Sequence, residues 1–224
     1  MDILITGANR GIGLSLTKQA LAAGHHVIAT AREPKAATEL AALKGVEVLP
    51  LSVEDGASVE ALAKKLRGRS IDVLINNAGT YGEHQSVGDL DFQEAGLVYA
   101  VNALGPLRVT LALLDNLRAG QGKRVANISS MMGSIADNSS GGEYGYRMSK
   151  AALNMASKTL ANDLARDGIR VVALNPGWVQ TDMGGPNAPT PVDEAARGIL
   201  QRVLGLSAQD NGQFVDYRGG YRPW

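Results

Sequence analysis

The sequence predicts an α/β chain built on one doubly wound parallel sheet of about seven strands, with helices on both faces. Three observations carry this. Short, β-branched apolar runs alternate with longer segments of helical period. Several of those runs are apolar at successive rather than alternate positions, the pattern of a strand covered on both faces. No charge run, Pro/Ser-rich linker or low-complexity tract divides the chain, so residues 1–224 read as one domain.

Taken in order, the strand candidates are Ile3–Thr6, His26–Thr30, Val46–Leu51, Val73–Asn76, Arg124–Ser129, Arg170–Asn175 and Gln213–Asp216. Amphipathic stretches rich in Ala, Leu, Lys and Glu lie between them, among them Leu14–Ala23, Ala36–Leu43, Ser58–Leu66 and Met148–Arg166. Strand–helix alternation implies right-handed βαβ units. Ligands of such sheets bind beyond the carboxyl ends of the strands. The unusual residues of this sequence fall at those ends.

The first strand runs into Thr6-Gly7-Ala8-Asn9-Arg10-Gly11-Ile12-Gly13 and then at once into a helical pattern. Glycine is needed where φ is positive or where a side chain would block an approaching phosphate. Gly11 permits close approach of a pyrophosphate, and Gly13 permits close packing of helix on strand. The helix N-terminus presents free N–H groups and a positive dipole end to the anion. Gly7, Asn9, Arg10, Gly11, Ile12 and Gly13 are therefore candidate cofactor residues. An NAD site places an acid near the end of the second strand, about 20 residues past the turn. The sequence there is Thr30-Ala31-Arg32, without an acid. Arg32 and Arg10 can clamp a 2′-phosphate bidentately, which favours NADP(H) over NAD(H). The alternative is a solvated Arg32, with Glu33 beside it serving a ribose.

Tyr146 and Lys150 stand four apart at the front of a long helical stretch, a spacing that puts both on one face. A free tyrosine titrates near 10, so acid–base work near neutrality requires a change of about 3 pH units, roughly 4 kcal/mol. A neighbouring ammonium favours the phenolate and supplies part of it, and the cationic nicotinamide of an oxidised cofactor supplies more. Spacing alone does not distinguish this pair from a surface aromatic with a solvated lysine.

The set of motifs does. Thr6-Gly7-x-x-x-Gly11-x-Gly13, Asn76-Asn77-Ala78-Gly79, Asn102, Asn127-Ile128-Ser129-Ser130, Tyr146-x-x-x-Lys150 and Pro176-Gly177-x-x-x-Thr181-Asp182-Met183 occur in that order over nearly the whole chain. Together they resemble the short-chain dehydrogenase/reductase family. The surroundings of Ser130 and Tyr146, Trp178 to Gly185 and the tail from Gly212 to Trp224 are similar to its carbonyl reductase-like branch, which includes bacterial cell-contact signalling proteins. The resemblance implies an NADP(H)-dependent oxidoreductase moving a hydride between nicotinamide and a small carbonyl or alcohol. Its other implication is an NADP(H)-binding signal or sensor with little turnover.

Residue roles follow from the same resemblance. Tyr146 is the general acid–base. Lys150 lowers the Tyr146 pKa and binds the nicotinamide ribose. Ser130 holds the substrate oxygen, with Ser129 and Ser134 as competitors. Asn102 holds a water by backbone and side chain in a proton relay, or else only kinks a helix near Gly105-Pro106. Asn76, Ala78 and Gly79 form a floor under adenosine and ribose, and Asn77 is a brace between strands. Pro176, Gly177, Val179 and Thr181 receive the carboxamide, and the segment from Gly184 to Pro191 forms a mobile substrate lid. The family's acid at the adenine is replaced by Leu51-Ser52-Val53, leaving the Ser52 hydroxyl or the Val53 backbone for that task. Relatives pair through long helices, here near Phe92–Leu117 and Tyr144–Arg166, although some are monomers; either state fits.

Composition narrows the classes further. Twenty-two basic residues balance 22 acidic ones, which argues against a nucleic-acid or membrane-surface partner. The absence of cysteine removes disulfides and thiolate metal sites. His25, His26 and His84 lack metal-ligand spacing and read as surface or loop residues. The first residues show no basic n-region, and apolar runs fall short of the ~20 residues of a membrane span, giving a soluble, cytoplasmic expectation.

Overall fold

The computed structural model describes residues 1–224 except His84. Its seven strands are β1 (Asp2–Ile5), β2 (His26–Ala31), β3 (Val46–Pro50), β4 (Val73–Asn76), β5 (Arg124–Ile128), β6 (Arg170–Asn175) and β7 (Phe214–Asp216). They form one sheet in the order β3-β2-β1-β4-β5-β6-β7, with every neighbouring pair parallel. The order reverses between β1 and β4, and ligands of doubly wound sheets bind at such a switch point.

The uninterrupted apolar runs have a direct cause. Alternate residues of one strand point to opposite faces, and both faces are covered. Ile3, Ile5, Val73, Ile75, Ala126 and Val172 pack under α1 (Gly11–Ala22) and α8 (Val192–Leu204). Leu4, Ile28, Leu74, Val125 and Val171 enter the other core, with residues of α3 (Gly56–Lys65), α5 (Gly105–Ala112), α6 (Leu114–Ala119) and α7 (Tyr144–Asp163). Truncating one of these buried leucines or isoleucines to alanine costs about 2–5 kcal/mol.

Several expectations change. The stretch 36–43 supplies only one turn, α2 (Thr38–Ala41), because Ala37 and Leu40 alone of its residues are buried in a core. Helix α8 was absent from the stretches named above, although Ala195, Ala196, Ile199, Leu200 and Val203 form its buried face at helical spacing. α4 (Phe92–Tyr99) continues through a π-helical turn (Ala100–Leu104) into α5, where Pro106 sits in the first turn. This run, Phe92–Ala112, is long and apolar enough to cross a membrane, contrary to the expectation that no stretch reaches that length. Here it is a packed helix: Val98, Asn102, Ala103, Val109 and Thr110 are buried, and Asn102 and Thr110 are hydrogen-bonded inside.

Candidate active site

The strand ends build the site from the first turn outwards. Thr6 follows β1, and its buried hydroxyl accepts the backbone N–H groups of Asn77 and Ala78, each at 3.0 Å. The Asn77 amide donates back to the Thr6 and Gly7 carbonyls, locking the turns after β1 and β4 together. Gly7 has φ +63°, and a Cβ there would lie 2.7 Å from Ala78 Cα. A Cβ on Gly13 would overlap the Gly7 carbonyl oxygen and the Asn77 amide. Gly13 thus packs the helix on its own turn and on Asn77 rather than on the strand. No other residue fits at either place.

Arg10, at the N-cap of α1, makes no side-chain cap, and the first turn of α1 carries no acid. The leading N–H groups of α1 consequently face the cleft without a capping carboxylate or hydroxyl, the arrangement that accepts a phosphate. The cradle therefore fits a dinucleotide. A cleft of about 590 Å³ opens here between Arg10, Gly11, Ser15 and Lys18 on one side and Thr181, Asp182 and Pro186 on the other. Arg10 crosses it to pair with Asp182 at 2.8 Å, both side chains being exposed. Arg32 is exposed at the end of β2, with no ion-pair partner among the described residues.

Two cofactor-floor expectations need correction. Asn76 is buried, and its amide donates to Asn127 Oδ1, Thr110 Oγ1 and the Pro106 carbonyl. Its side chain braces β4 against β5 and α5, so it does not line the floor. Asn77, Ala78 and Gly79 all reach solvent, and the Asn77 side chain braces the two turns rather than the strands. Ser52 donates its hydroxyl proton to Glu54, two residues on, and keeps only acceptor capacity. Val53 is buried against Gly105, where an added Cβ would lie 2.8 Å from Val53 Cγ2.

Around the β5 end, the structure brings Ser130, Tyr146, Lys150 and Asn102 together. Tyr146 is buried in the first turn of α7 and hydrogen-bonded to the Ser130 side chain. Ser130 Oγ also accepts the Met132 N–H at 3.1 Å. The competing serines are occupied elsewhere: Ser129 Oγ donates to Asn154 Oδ1, and Ser134 Oγ donates to the Trp224 backbone oxygen. Lys150 Nζ donates to the Ile128 carbonyl at 2.8 Å and lies 5.6 Å from the centre of the Tyr146 ring.

Electrostatics here run against the expectation that Lys150 lowers the Tyr146 pKa. Burial pushes the Tyr146 phenol up to about 12, overcoming the downward pull of the Ser130 hydrogen bond, and nearby Tyr81 adds to the rise. Burial also pushes Lys150 down to about 8. Desolvation penalises the charged form of each. The protein's own groups therefore hold Tyr146 as a neutral phenol, ready to donate.

Asn102, in the π-helical turn, is tied by its side chain. Its Oδ1 accepts the Thr80 N–H at 2.9 Å, and its Nδ2 donates to the Thr80 carbonyl and to Ser149 Oγ. Ser149 Oγ in turn donates to the Tyr146 carbonyl. Both amide protons are thus used within the protein, which corrects the idea that the side chain holds a relay water. The helix near Gly105-Pro106 is irregular, carrying a π-helical turn over Ala100–Leu104 just before Pro106.

After β6, Gly177 has φ +80°, and a Cβ there would strike the Tyr217 ring at 2.8 Å. Val179 is buried and bridges to Thr190. The expected loose lid is instead stitched to the preceding residues. Thr190 N donates to the Trp178 carbonyl, Gln180 N to the Thr190 carbonyl, Gly185 N to the Thr181 carbonyl and Trp178 Nε1 to the Gly184 carbonyl. Thr181 Oγ1 accepts the Gly184 N–H rather than standing free. His25 precedes β2 and His26 opens it, with His26 Nδ1 meeting Asp2 Oδ1 at 3.0 Å; the reading of His84 lies outside the described residues. Sequence reasoning gave no role to Thr6, Tyr81, Gln85, Glu143 or Ser149. Of these, only Thr6 sat inside a motif that pointed to it.

Residues 2–191 match the model of the short chain dehydrogenase family. The C-signal of Myxococcus xanthus is 49% identical over 166 residues, 74% of this chain and 100% of that protein. The carbonyl reductase Sniffer of D. melanogaster superposes with a TM-score of 0.94 at 33% identity, covering 100% of this chain and 99% of its own. The NADPH-bound carbonyl reductase from chicken fatty liver gives a TM-score of 0.93 at 36% identity, covering 100% and 98%.

Proposed function

We propose, from the premise that this chain belongs to the short-chain dehydrogenase family and is an oxidoreductase at C=O/CH–OH groups, that it reduces a small carbonyl compound with NADPH. The observation that carries the proposal is the Ser130–Tyr146–Lys150 cluster, its Tyr146 and Lys150 buried, beside the turn after β4, where a Cβ on Gly79 would lie 3.7 Å from Lys150 Nζ. When bound, the nicotinamide supplies or accepts the hydride.

The chain's own groups divide the remaining work. Ser130 donates a hydrogen bond to the carbonyl oxygen, orienting it and stabilising the charge that develops there. Tyr146, kept protonated by its burial, donates Oη–H to the same oxygen as it becomes an alkoxide. In the oxidative direction, the positive charge of the oxidised cofactor and a protonated Lys150 must offset that burial. Lys150 also holds the nicotinamide ribose, and a water held on the Asn102 carbonyl links Lys150 to solvent, from which the replacement proton comes. Gly7, Asn9, Gly11, Ile12 and Gly13 cradle the pyrophosphate on the N-terminus of α1. Ala78 and Gly79 floor the adenosine side, and Ser52 accepts from the adenine amino group with the Val53 backbone beside it. Pro176, Gly177, Val179 and Thr181 orient the carboxamide.

Arg32, exposed and without an ion-pair partner among the described residues, and Arg10 grip the 2′-phosphate, for which Arg10 exchanges Asp182 for the phosphate. NADP-bound neighbours support this choice over NAD. A panel of ketones and aldehydes assayed with NADPH and with NADH tests the proposal; turnover of none of them with either cofactor contradicts it. The identity to the C-signal favours a second reading, in which the chain binds NADP(H) and acts as a signal with little turnover. The assembled catalytic cluster favours the first.

A further inference from the structure

Tyr81 belongs to none of the motifs, yet its ring contacts the ring of Tyr146, with centroids 4.6 Å apart and planes tilted by 34°. It stands on the loop after β4, 65 residues away in sequence. Its hydroxyl is held at the far side by the Glu143 carboxylate and lies 4.0 Å from Met132 Sδ. Glu143 is the residue immediately before α7, the helix that carries Tyr146, and it adopts φ +53°. A non-glycine residue persists in the left-handed region only where its surroundings fix it.

Those surroundings are the same loop. Gln85, which is buried, accepts the Glu143 N–H on its carbonyl at 2.7 Å and the Gly145 N–H on its side-chain oxygen at 3.0 Å. The side chain of Gln85 therefore caps the start of α7, where no residue of the helix's own N-cap does so. Gly145 leaves room for this, since a Cβ there would lie 2.9 Å from Gln85 Oε1 and 3.1 Å from Ala95 Cα. The loop thus grips the first turn of α7 at Glu143, at Gly145 and at the Tyr146 ring.

We propose that Tyr81 is a positioning residue for Tyr146, its ring fixing the orientation of the phenol so that only the hydroxyl edge is presented to the substrate. The inference rests on the reading of Tyr146 as proton donor. Tyr81 places its ring against that of the phenol, the Ser130 hydrogen bond holds the phenol oxygen, and Lys150 Nζ lies 5.6 Å from the ring centre. Removing the Tyr81 ring widens the range of side-chain angles open to the phenol. The proton is then delivered from fewer productive geometries, and kcat falls while cofactor binding, built on other strand ends, does not.

The test uses benzaldehyde, or another carbonyl that the panel shows to be reduced, with NADPH and the full chain. Tyr81→Leu, which keeps apolar bulk but no ring, is expected to lower kcat roughly ten- to thirtyfold, with the NADPH dissociation constant unchanged within about twofold. Tyr81→Phe restores the ring without its tether and is expected to return kcat to within about fivefold of wild type. A kcat for Tyr81→Leu within twofold of wild type, or a loss confined to KM, overturns the inference. So does a Tyr81→Phe variant as impaired as Tyr81→Leu, and so does one losing more than thirtyfold if the leucine variant does not fold. Tyr146→Phe, run in parallel, separates the two readings. If it retains turnover, the proton-donor reading fails; if it is inactive and Tyr81→Leu is not impaired, only the present inference fails.

Discussion

Replacing Asn102 by alanine discriminates between a side chain that holds a relay water and one that holds the protein together. The structure shows three hydrogen bonds from this side chain, two to the Thr80 backbone and one to Ser149 Oγ. At about 1 kcal/mol each, their loss costs roughly 3 kcal/mol, and less to the extent that water reaches Thr80, which is only partly buried. For a chain of this size, that corresponds to a fall of roughly 6–12 °C in melting temperature. The assay is thermal and urea unfolding of the wild type and of Asn102→Ala, with NADPH-linked reduction measured well below the transition. A relay carried by the Asn102 carbonyl survives the substitution in part, so activity falls less than it does on loss of Tyr146. A variant that melts within about 2 °C of wild type refutes the bracing role.

Other expectations follow from the same geometry. Arg32→Ala should weaken NADPH binding by about ten- to a hundredfold and leave NADH nearly unchanged, as loss of a guanidinium–phosphate pair requires; titration of both cofactors checks it, and equal losses contradict it. Gly13→Ala places a methyl group onto the Gly7 carbonyl and the Asn77 amide, so cofactor affinity and folding stability should fall together, read by NADPH titration and urea unfolding. Stability should also depend on pH through Lys150. Its native pKa is pushed down to about 8, below the ordinary lysine value of 10.5, so between those pH values the unfolded state binds more protons and stability rises with pH. The rise is at most about 3 kcal/mol, and above pH 10 ionisation of unfolded Tyr146 begins to oppose it. Urea unfolding at pH 7 and pH 10 should show the rise in wild type and its loss in Lys150→Met.

The strands were legible because both faces of the sheet are buried, so that Ile3, Leu4 and Ile5 are all apolar whichever face each takes. The Ser130–Tyr146–Lys150 constellation was legible because a rare order of motifs identified it. What escaped depends on which way a side chain turns or on contacts distant in sequence. Asn76 and Asn77 are neighbours in one motif, yet one braces strands from inside the core and the other locks two turns. The glycine- and proline-rich stretch after Met183 suggested a loose lid because composition does not reveal backbone pairing such as Val179 with Thr190. The Tyr146 pKa was expected to fall because four-residue spacing announces Lys150 but not the depth at which both groups are buried. Tyr81 had no signal at all: its meaning lies in a ring 65 positions away.

The central claim is that Tyr146 delivers the proton in NADPH-linked carbonyl reduction. Tyr146→Phe removes one oxygen from a ring held by its neighbours, so the fold and the cofactor cradle should survive. Single-turnover reduction by enzyme preloaded with NADPH, followed by the decay of nicotinamide absorbance, measures the chemical step directly. The account predicts NADPH affinity within about twofold of wild type and a fall in the reduction rate of about a hundredfold or more, the scale of general acid catalysis. A rate within a few-fold of wild type contradicts it.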